Sequence, residues 1–358
     1  MGNNPLNKIR DQHQALAYVS EVARTRNTDD FQVPLIDIYP NDTCNCRCQF
    51  CVSPFGRSNL PIEVVKLLAK LRPRVITITG GGEPSIYKDG KHRIEDFVAE
   101  IRTHLGTIPI GMMTNGTRLI DTNTVNELAW LRISINAASR EAYQDIHGCD
   151  FFNRVVNNTA TFINSGIPQV GIGFVYTPKT ACQITKFAEM VLDRLKPKTT
   201  EDKFNRLTLQ FRPVADRDYS RYHLSDVEKE ALRSQSAKIS DEAQTLLSKQ
   251  SNFRQVLDNQ CFGGSSPFQR CWISFLQMNI DANGDSYPCP QKTHKREDSY
   301  GNIFDPDFFD KIKAEAIKSF ESHSCTNCPT CTQTTINNLY DSLDWPSISF
   351  DQAKPVFF

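Results

Sequence analysis

Val33-Pro34-Leu35-Ile36-Asp37-Ile38-Tyr39 is followed at once by Thr43-Cys44-Asn45-Cys46-Arg47-Cys48-Gln49-Phe50-Cys51, four cysteines in eight residues. The first run is apolar and β-branched, and it reads as a strand. The second reads as a loop at that strand's C-terminal end. Taken as Cys44-x3-Cys48-x2-Cys51, the loop offers three thiolates from one short segment. Three soft ligands suit a [4Fe–4S] cube and leave its fourth iron open for a small ligand. The rival reading is a zinc loop, with Cys46 as the fourth ligand that a closed zinc site needs.

Outward from this loop, short β-rich runs alternate with helical patterns. Strands are expected at 33–39, 74–79, 108–113, 131–136, 169–176 and 206–211. Helices are expected at 60–71, 94–105, 122–130, 139–147, 152–165 and 184–195. Such alternation implies parallel strands joined by helical crossovers. Six units make an α/β fold, a partial (β/α)6 TIM-like barrel, whose chemistry belongs on loops at the strand C-terminal ends. The second strand runs into Gly80-Gly81-Gly82-Glu83-Pro84 at such an end. Its glycines let a ligand approach the backbone closely.

The remainder sorts into segments. Residues 1–32, with an amphipathic pattern from Asn7 to Arg26, read as a helical cap on a barrel spanning 33–215. Residues 216–260 are charged and read as a helical linker. From 261 to 358 the pattern changes: Trp272 to Ile280 and Ser286 to Cys289 read as a β-hairpin turning at Asn283-Gly284. A helix from Pro306 to Glu321 follows, then Cys325-x2-Cys328-x2-Cys331.

Composition narrows the partners. The 358 residues carry 41 basic and 41 acidic side chains. A balanced charge argues against nucleic acid or an anionic membrane held by bulk electrostatics. No apolar run approaches a membrane span, and the N-terminus is unlike a signal peptide. A cytoplasmic location is the expectation. Twelve cysteines, eight of them at metal-ligand spacings, favour metal sites in a reducing compartment over disulfides.

The cysteine loop, with Phe50 before its last ligand, together with Gly81-Gly82-Glu83-Pro84, resembles the signature of the radical S-adenosylmethionine (radical SAM) superfamily. The Cys271, Gly284, Cys289 and Cys325–Cys331 pattern resembles that superfamily's SPASM/twitch extension. The resemblance implies a [4Fe–4S] cluster on Cys44, Cys48 and Cys51 that binds S-adenosylmethionine at its open iron. It implies one auxiliary [4Fe–4S] cluster held by Cys271 and Cys289 with two of Cys325, Cys328 and Cys331. Cofactor contacts are expected from Gly81, Gly82, Glu83 and Pro84, and from Asn115, Ser134, Asn136 and Arg212 at later strand ends. Cys261 and Cys149 are candidate hydrogen donors to a substrate radical; the bland alternative for such thiols is small buried hydrophobes. The implied reaction is one-electron cleavage of S-adenosylmethionine, giving a 5′-deoxyadenosyl radical that abstracts hydrogen from a substrate carbon. A flavodoxin- or ferredoxin-type donor is implied. The substrate is expected to be a ribosomally made peptide, undergoing crosslinking, epimerisation or oxidation. The alternatives are a small molecule, such as a sugar or aminocyclitol undergoing dehydrogenation, and a non-catalytic metal scaffold.

Overall fold

In the computed structural model, residues 31–53, 55–214, 222–232, 234, 254–257 and 270–321 are described. They build a ten-stranded sheet. Its strands are β1 (Leu35–Ile38), β2 (Val75–Ile78), β3 (Ile110–Thr114), β4 (Trp130–Ser134), β5 (Gln169–Tyr176), β6 (Thr208–Pro213), β7 (Arg254–Leu257), β8 (Gln277–Ile280), β9 (Asp285–Tyr287) and β10 (Gly301–Asn302). The spatial order is β10-β9-β8-β1-β2-β3-β4-β5-β6-β7. The principal helices are α1 (Val64–Lys70), α2 (Ile94–Leu105), α3 (Thr122–Asn126), α4 (Arg140–His147), α5 (Phe152–Asn164), α6 (Ile184–Arg194), α7 (Pro290–Lys295) and α8 (Phe308–Glu321).

All pairings from β1 through β7 are parallel, so the six expected βα units are present in chain order. Two more parallel strands extend them. β7 joins the edge of β6, in a stretch expected to be purely helical linker. β8 joins the free edge of β1, Leu35 opposite Gln277 and Ile38 opposite Ile280. The β8–β9 hairpin turns where Asn283-Gly284 predicted. Gly284 sits at φ +90°, and a Cβ there would meet the Phe304 ring at 2.8 Å. The expected N-terminal cap, Cys261 and the Cys325–Cys331 cluster lie outside the described residues.

Strand periodicity explains the layering. On β5, Val170, Ile172, Phe174 and Tyr176 are buried, while the alternate residues are partly exposed. On α2, Ile94, Phe97, Val98 and Ile101 supply a buried stripe at helical spacing. The core lies between these helices and one face of the sheet. Phe174, Phe187 and Phe211 form an aromatic cluster within it, with ring centroids 4.7 to 5.9 Å apart. Phe174→Ala is expected to cost about 3–5 kcal/mol, because close packing leaves a cavity. Urea denaturation of the purified chain measures it.

The sheet's other face is polar, unlike the packed interior of a closed barrel. Gln277 Nε2 donates to Asp37 Oδ2 (2.6 Å) across β8 and β1. Arg132 donates to Gln210 Oε1 (2.8 Å) and to Met113 Sδ (3.0 Å). Gly171, alternating with the buried residues of β5, leaves room for the Arg132 stem, 3.6 Å from where its Cβ would be. Burial pushes the Asp37 carboxyl up to about 6, opposed by hydrogen bonds from Thr77 and Gln277. No helix among the described residues is long and apolar enough to cross a membrane.

Candidate cofactor site at the barrel mouth

The loop from Asn41 to Cys51 leaves β1 and is held from two sides. On one side stands the glycine segment after β2. Gly82 N–H donates to the Asn41 carbonyl (3.0 Å) and Glu83 N–H to the Thr43 carbonyl (2.8 Å). A Cβ on Gly82 would fall 2.1 Å from the Thr43 oxygen, so only glycine permits this approach. Asn41, fully buried, ties both segments together by donating from Nδ2 to the carbonyls of Thr43 and Glu83.

On the other side stands the end of α4. Arg47 N–H donates to the His147 carbonyl (2.8 Å) and Gln49 N–H to the Ile146 carbonyl (3.0 Å). His147 is buried and stacks on Tyr143, with centroids 4.2 Å apart. Its Nε2–H donates to the Ile135 carbonyl (2.8 Å), which leaves Nδ1 as an acceptor 3.1 Å from Cys48 Sγ. Burial lowers the ring's pKa to about 4, so it is neutral near pH 7.

The four loop thiols do not play equal parts. Cys44, Cys48 and Cys51 are half-buried; Cys51 raises the pKa of Cys44 electrostatically, and Cys51 and Cys44 raise that of Cys48. Burial is the larger cause, pushing the Cys44 thiol up to about 11 and Cys48 further. Cys46 turns away into the protein. It is buried, its sulfur lies 2.9 Å from Cys149 Sγ, and Asn115 Nδ2 points at it from 3.5 Å. Among the described residues no three His, Cys, Asp or Glu side chains converge on a point that would hold a single metal ion. The zinc reading required Cys46 to join the other three, and its sulfur is engaged elsewhere.

Glu83 is buried and saturated. Its Oε1 accepts from Ser85 N–H (2.9 Å) and Thr114 Oγ1–H (2.5 Å), and its Oε2 from Asn115 N–H (2.6 Å). Burial raises its pKa, opposed by these donors. The side chain thus braces the ends of β2 and β3. Asn41 Oδ1 and Asp42 Oδ1 are buried at the start of the loop with no hydrogen-bond partner. An acceptor-rich corner beside three thiols fits an iron–sulfur cluster carrying a ligand with an ammonium group.

The other expected contacts divide. Ser134 and Arg212 are half-buried at the ends of β4 and β6. Asn115 is a hub: Nδ2 donates to Asn45 Oδ1 (2.9 Å) and Oδ1 accepts from Thr117 N–H (3.0 Å). Asn136, at φ +56°, accepts from Val175 N–H (2.8 Å), so its amide locks β4 to β5. Cys271 is buried before β8, and Cys289 precedes α7. Sequence reasoning missed His147 and the partnership of Cys46 with Cys149. The only available signal was a histidine and a cysteine flanking Gly148.

Between the barrel mouth and the hairpin lies a small, partly open pocket. Tyr39, Asp42 and Gly81 line one side; Asp281, His294 and Arg296 line the other. Tyr39 and His294 face each other with centroids 6.2 Å apart.

Residues 38–191 match the family model of the radical SAM superfamily, and residues 271–332 match the SPASM model, an iron–sulfur cluster-binding domain. A probable GTP 3′,8-cyclase of Saccharolobus islandicus is 30% identical over 174 residues, 45% of this chain and 54% of that protein. One of Metallosphaera sedula is 29% identical over 180 residues, 46% and 53% of the two chains. The chain thus spans about half the length of these relatives. Among solved structures, Streptococcus suis SuiB bound to precursor peptide SuiA superposes with a TM-score of 0.62 at 16% identity, over 93% of this chain and 76% of that one. The anSMEcpe structure with bound AdoMet gives 0.56 at 18% identity, over 80% of each chain. These likenesses are of fold, and the two family matches fall where the cysteine loop and the C-terminal hairpin lie. The cofactors of these domains are a [4Fe–4S] cluster with S-adenosylmethionine in the barrel, and auxiliary iron–sulfur in the C-terminal part. Residues 38–191 thus form a radical SAM domain, and residues 271–332 an SPASM iron–sulfur domain.

Proposed function

We propose that this enzyme modifies a peptide by radical chemistry at the mouth where the cysteine loop, the glycine segment and the β8–β9 hairpin meet. The observation that carries the reading is the parallel pairing of β8 with β1. It sets the SPASM hairpin beside the loop that holds Cys44, Cys48 and Cys51, with the pocket between them. The SuiB fold, known with a precursor peptide bound, supports a peptide over a small molecule. The cyclase relatives match 45% of this chain and 54% of their own length, too little to carry their substrate over.

When bound, the cluster and S-adenosylmethionine supply a carbon-centred radical that takes a hydrogen atom from the substrate. The chain's own residues do the rest. Cys44, Cys48 and Cys51 hold the cluster. The Asn41–Asp42 corner receives the cofactor's ammonium group. Ser134 and Arg212 orient its remaining polar groups, and the Arg212 guanidinium is suited to a carboxylate. The wall of Tyr39 and His294 narrows the pocket against water. Cys271 and Cys289, with two of Cys325, Cys328 and Cys331, hold one auxiliary cluster, and a flavodoxin- or ferredoxin-type protein delivers electrons.

The test begins with anaerobic reconstitution, dithionite and S-adenosylmethionine. Formation of 5′-deoxyadenosine is expected, and a precursor peptide encoded beside the gene should accelerate it and change mass. Iron-loaded protein that makes no 5′-deoxyadenosine would refute the radical reading. Turnover with aminocyclitols or sugars, and none with such peptides, would overturn the peptide assignment.

A further inference from the structure

The loop and the end of α4 meet through sulfur as well as through backbone. Gly148, at φ +62°, turns the chain after α4 back across the loop, and a Cβ there would stand 3.2 Å from the Arg47 carbonyl oxygen. That turn delivers Cys149 to Cys46, 103 residues earlier, with the sulfurs 2.9 Å apart. The two backbone hydrogen bonds from Arg47 and Gln49 to α4 fix this juxtaposition from the loop side. Cys46 is buried and Cys149 half-buried. Neither belongs to the three thiols assigned to the cluster.

We infer that Cys46 and Cys149 are a disulfide-forming pair, a covalent modification site that clamps the ligand loop onto α4. The sulfurs have less than an ångström to close before reaching the roughly 2.05 Å of a disulfide. In the step, two thiols give up two protons and two electrons and one S–S bond forms. With hydrogen peroxide as oxidant, the O–O bond breaks and two waters leave. Cys149, the more exposed thiol, is oxidised first to a sulfenic acid, which the Cys46 sulfur attacks with loss of water. Once formed, the bond removes Cys46 from competition for iron and leaves that role to Cys44, Cys48 and Cys51. The inference stands on the loop–helix geometry and holds whether or not the substrate is a peptide.

Diamide serves as the probe, since its N=N bond takes up the same two protons and two electrons. Anaerobically reconstituted holoprotein is treated with it, remaining thiols are alkylated, and the digest is read by mass spectrometry. One crosslink joining Cys46 to Cys149 is expected, reversible by dithiothreitol and absent from Cys149→Ser. The cluster's visible absorbance is expected to persist while the bond forms. Full alkylation of both cysteines after excess oxidant would overturn the inference. So would a crosslink from Cys46 to Cys44, Cys48 or Cys51, or bleaching of the cluster in step with disulfide formation.

Discussion

Cys48→Ala, reconstituted with iron and sulfide without oxygen, is expected to lose the barrel cluster and to yield 5′-deoxyadenosine at least about 100-fold more slowly. Removing an outer partner of a metal ligand typically costs 10–100-fold, so removing the ligand itself exceeds that. The physical reason lies in the count of donors. The loop offers three half-buried thiols, and with one gone only two corners of a cube are held. Among the described residues two groups stand near enough to replace it: Cys46, whose sulfur is engaged with Cys149 at 2.9 Å, and His147, whose Nδ1 lies 3.1 Å from Cys48 Sγ but whose ring is fixed by its bond to the Ile135 carbonyl. Cys46→Ala is the control. It removes a cysteine from the same loop, yet it is expected to leave the barrel cluster's iron and the 5′-deoxyadenosine yield near wild type. Iron and sulfide analysis with electron paramagnetic resonance of the reduced protein reads both variants. If Cys46→Ala lost the cluster and Cys48→Ala kept it, the ligand assignment would be wrong.

The sequence carried the barrel well because its strands bury one face. β5 was readable at its observed bounds, Gln169 to Tyr176, since valine, isoleucine, phenylalanine and tyrosine alternate with smaller or polar residues. The same holds for α2, whose apolar stripe repeats at helical spacing over Ile94 to Leu105. The edge strands are different. Among the described residues Arg254–Leu257 pairs with β6 alone, and its four residues sit in a charged stretch with no alternation of their own. The β8–β9 hairpin was visible through its turn, but its parallel pairing with β1 spans some 240 residues and has no local signature. The site divides in the same way. Ligand spacing within one loop is local, so Cys44, Cys48 and Cys51 stood out. His147 meets Cys48 across 99 residues, through a helix end that no spacing rule could have matched to the loop. Glu83 was expected to face the cofactor, and it turns inward because Ser85, Thr114 and Asn115 donate to it.

Gly82→Ala tests how the two halves of the mouth are joined. The added Cβ would lie 2.1 Å from the Thr43 oxygen and 2.6 Å from its nitrogen, both backbone atoms that no rotamer change can move. The segment after β2 must therefore retreat from the loop. Overpacking of this kind costs about 1–3 kcal/mol. Retreat also strains the bonds from Gly82 N–H to Asn41 and from Glu83 N–H to Thr43, each worth about 0.5–1.5 kcal/mol. A loss of about 2–5 kcal/mol in chemical denaturation is expected, together with poor iron loading, because Thr43 leads directly into Cys44. Gly81→Ala separates stability from cofactor binding. Its Cβ would sit 3.4 Å from the Asp42 Cβ, an ordinary contact, so stability should stay within about 0.5 kcal/mol. Gly81 lines the pocket, however, so the methyl group narrows the space beside the cofactor corner. S-adenosylmethionine affinity, read by the change it induces in the cluster's resonance signal, should fall in Gly81→Ala while iron content holds. If instead Gly82→Ala folded and loaded iron as wild type does, the close docking of the glycine segment on Thr43 would not be what positions the cysteine loop.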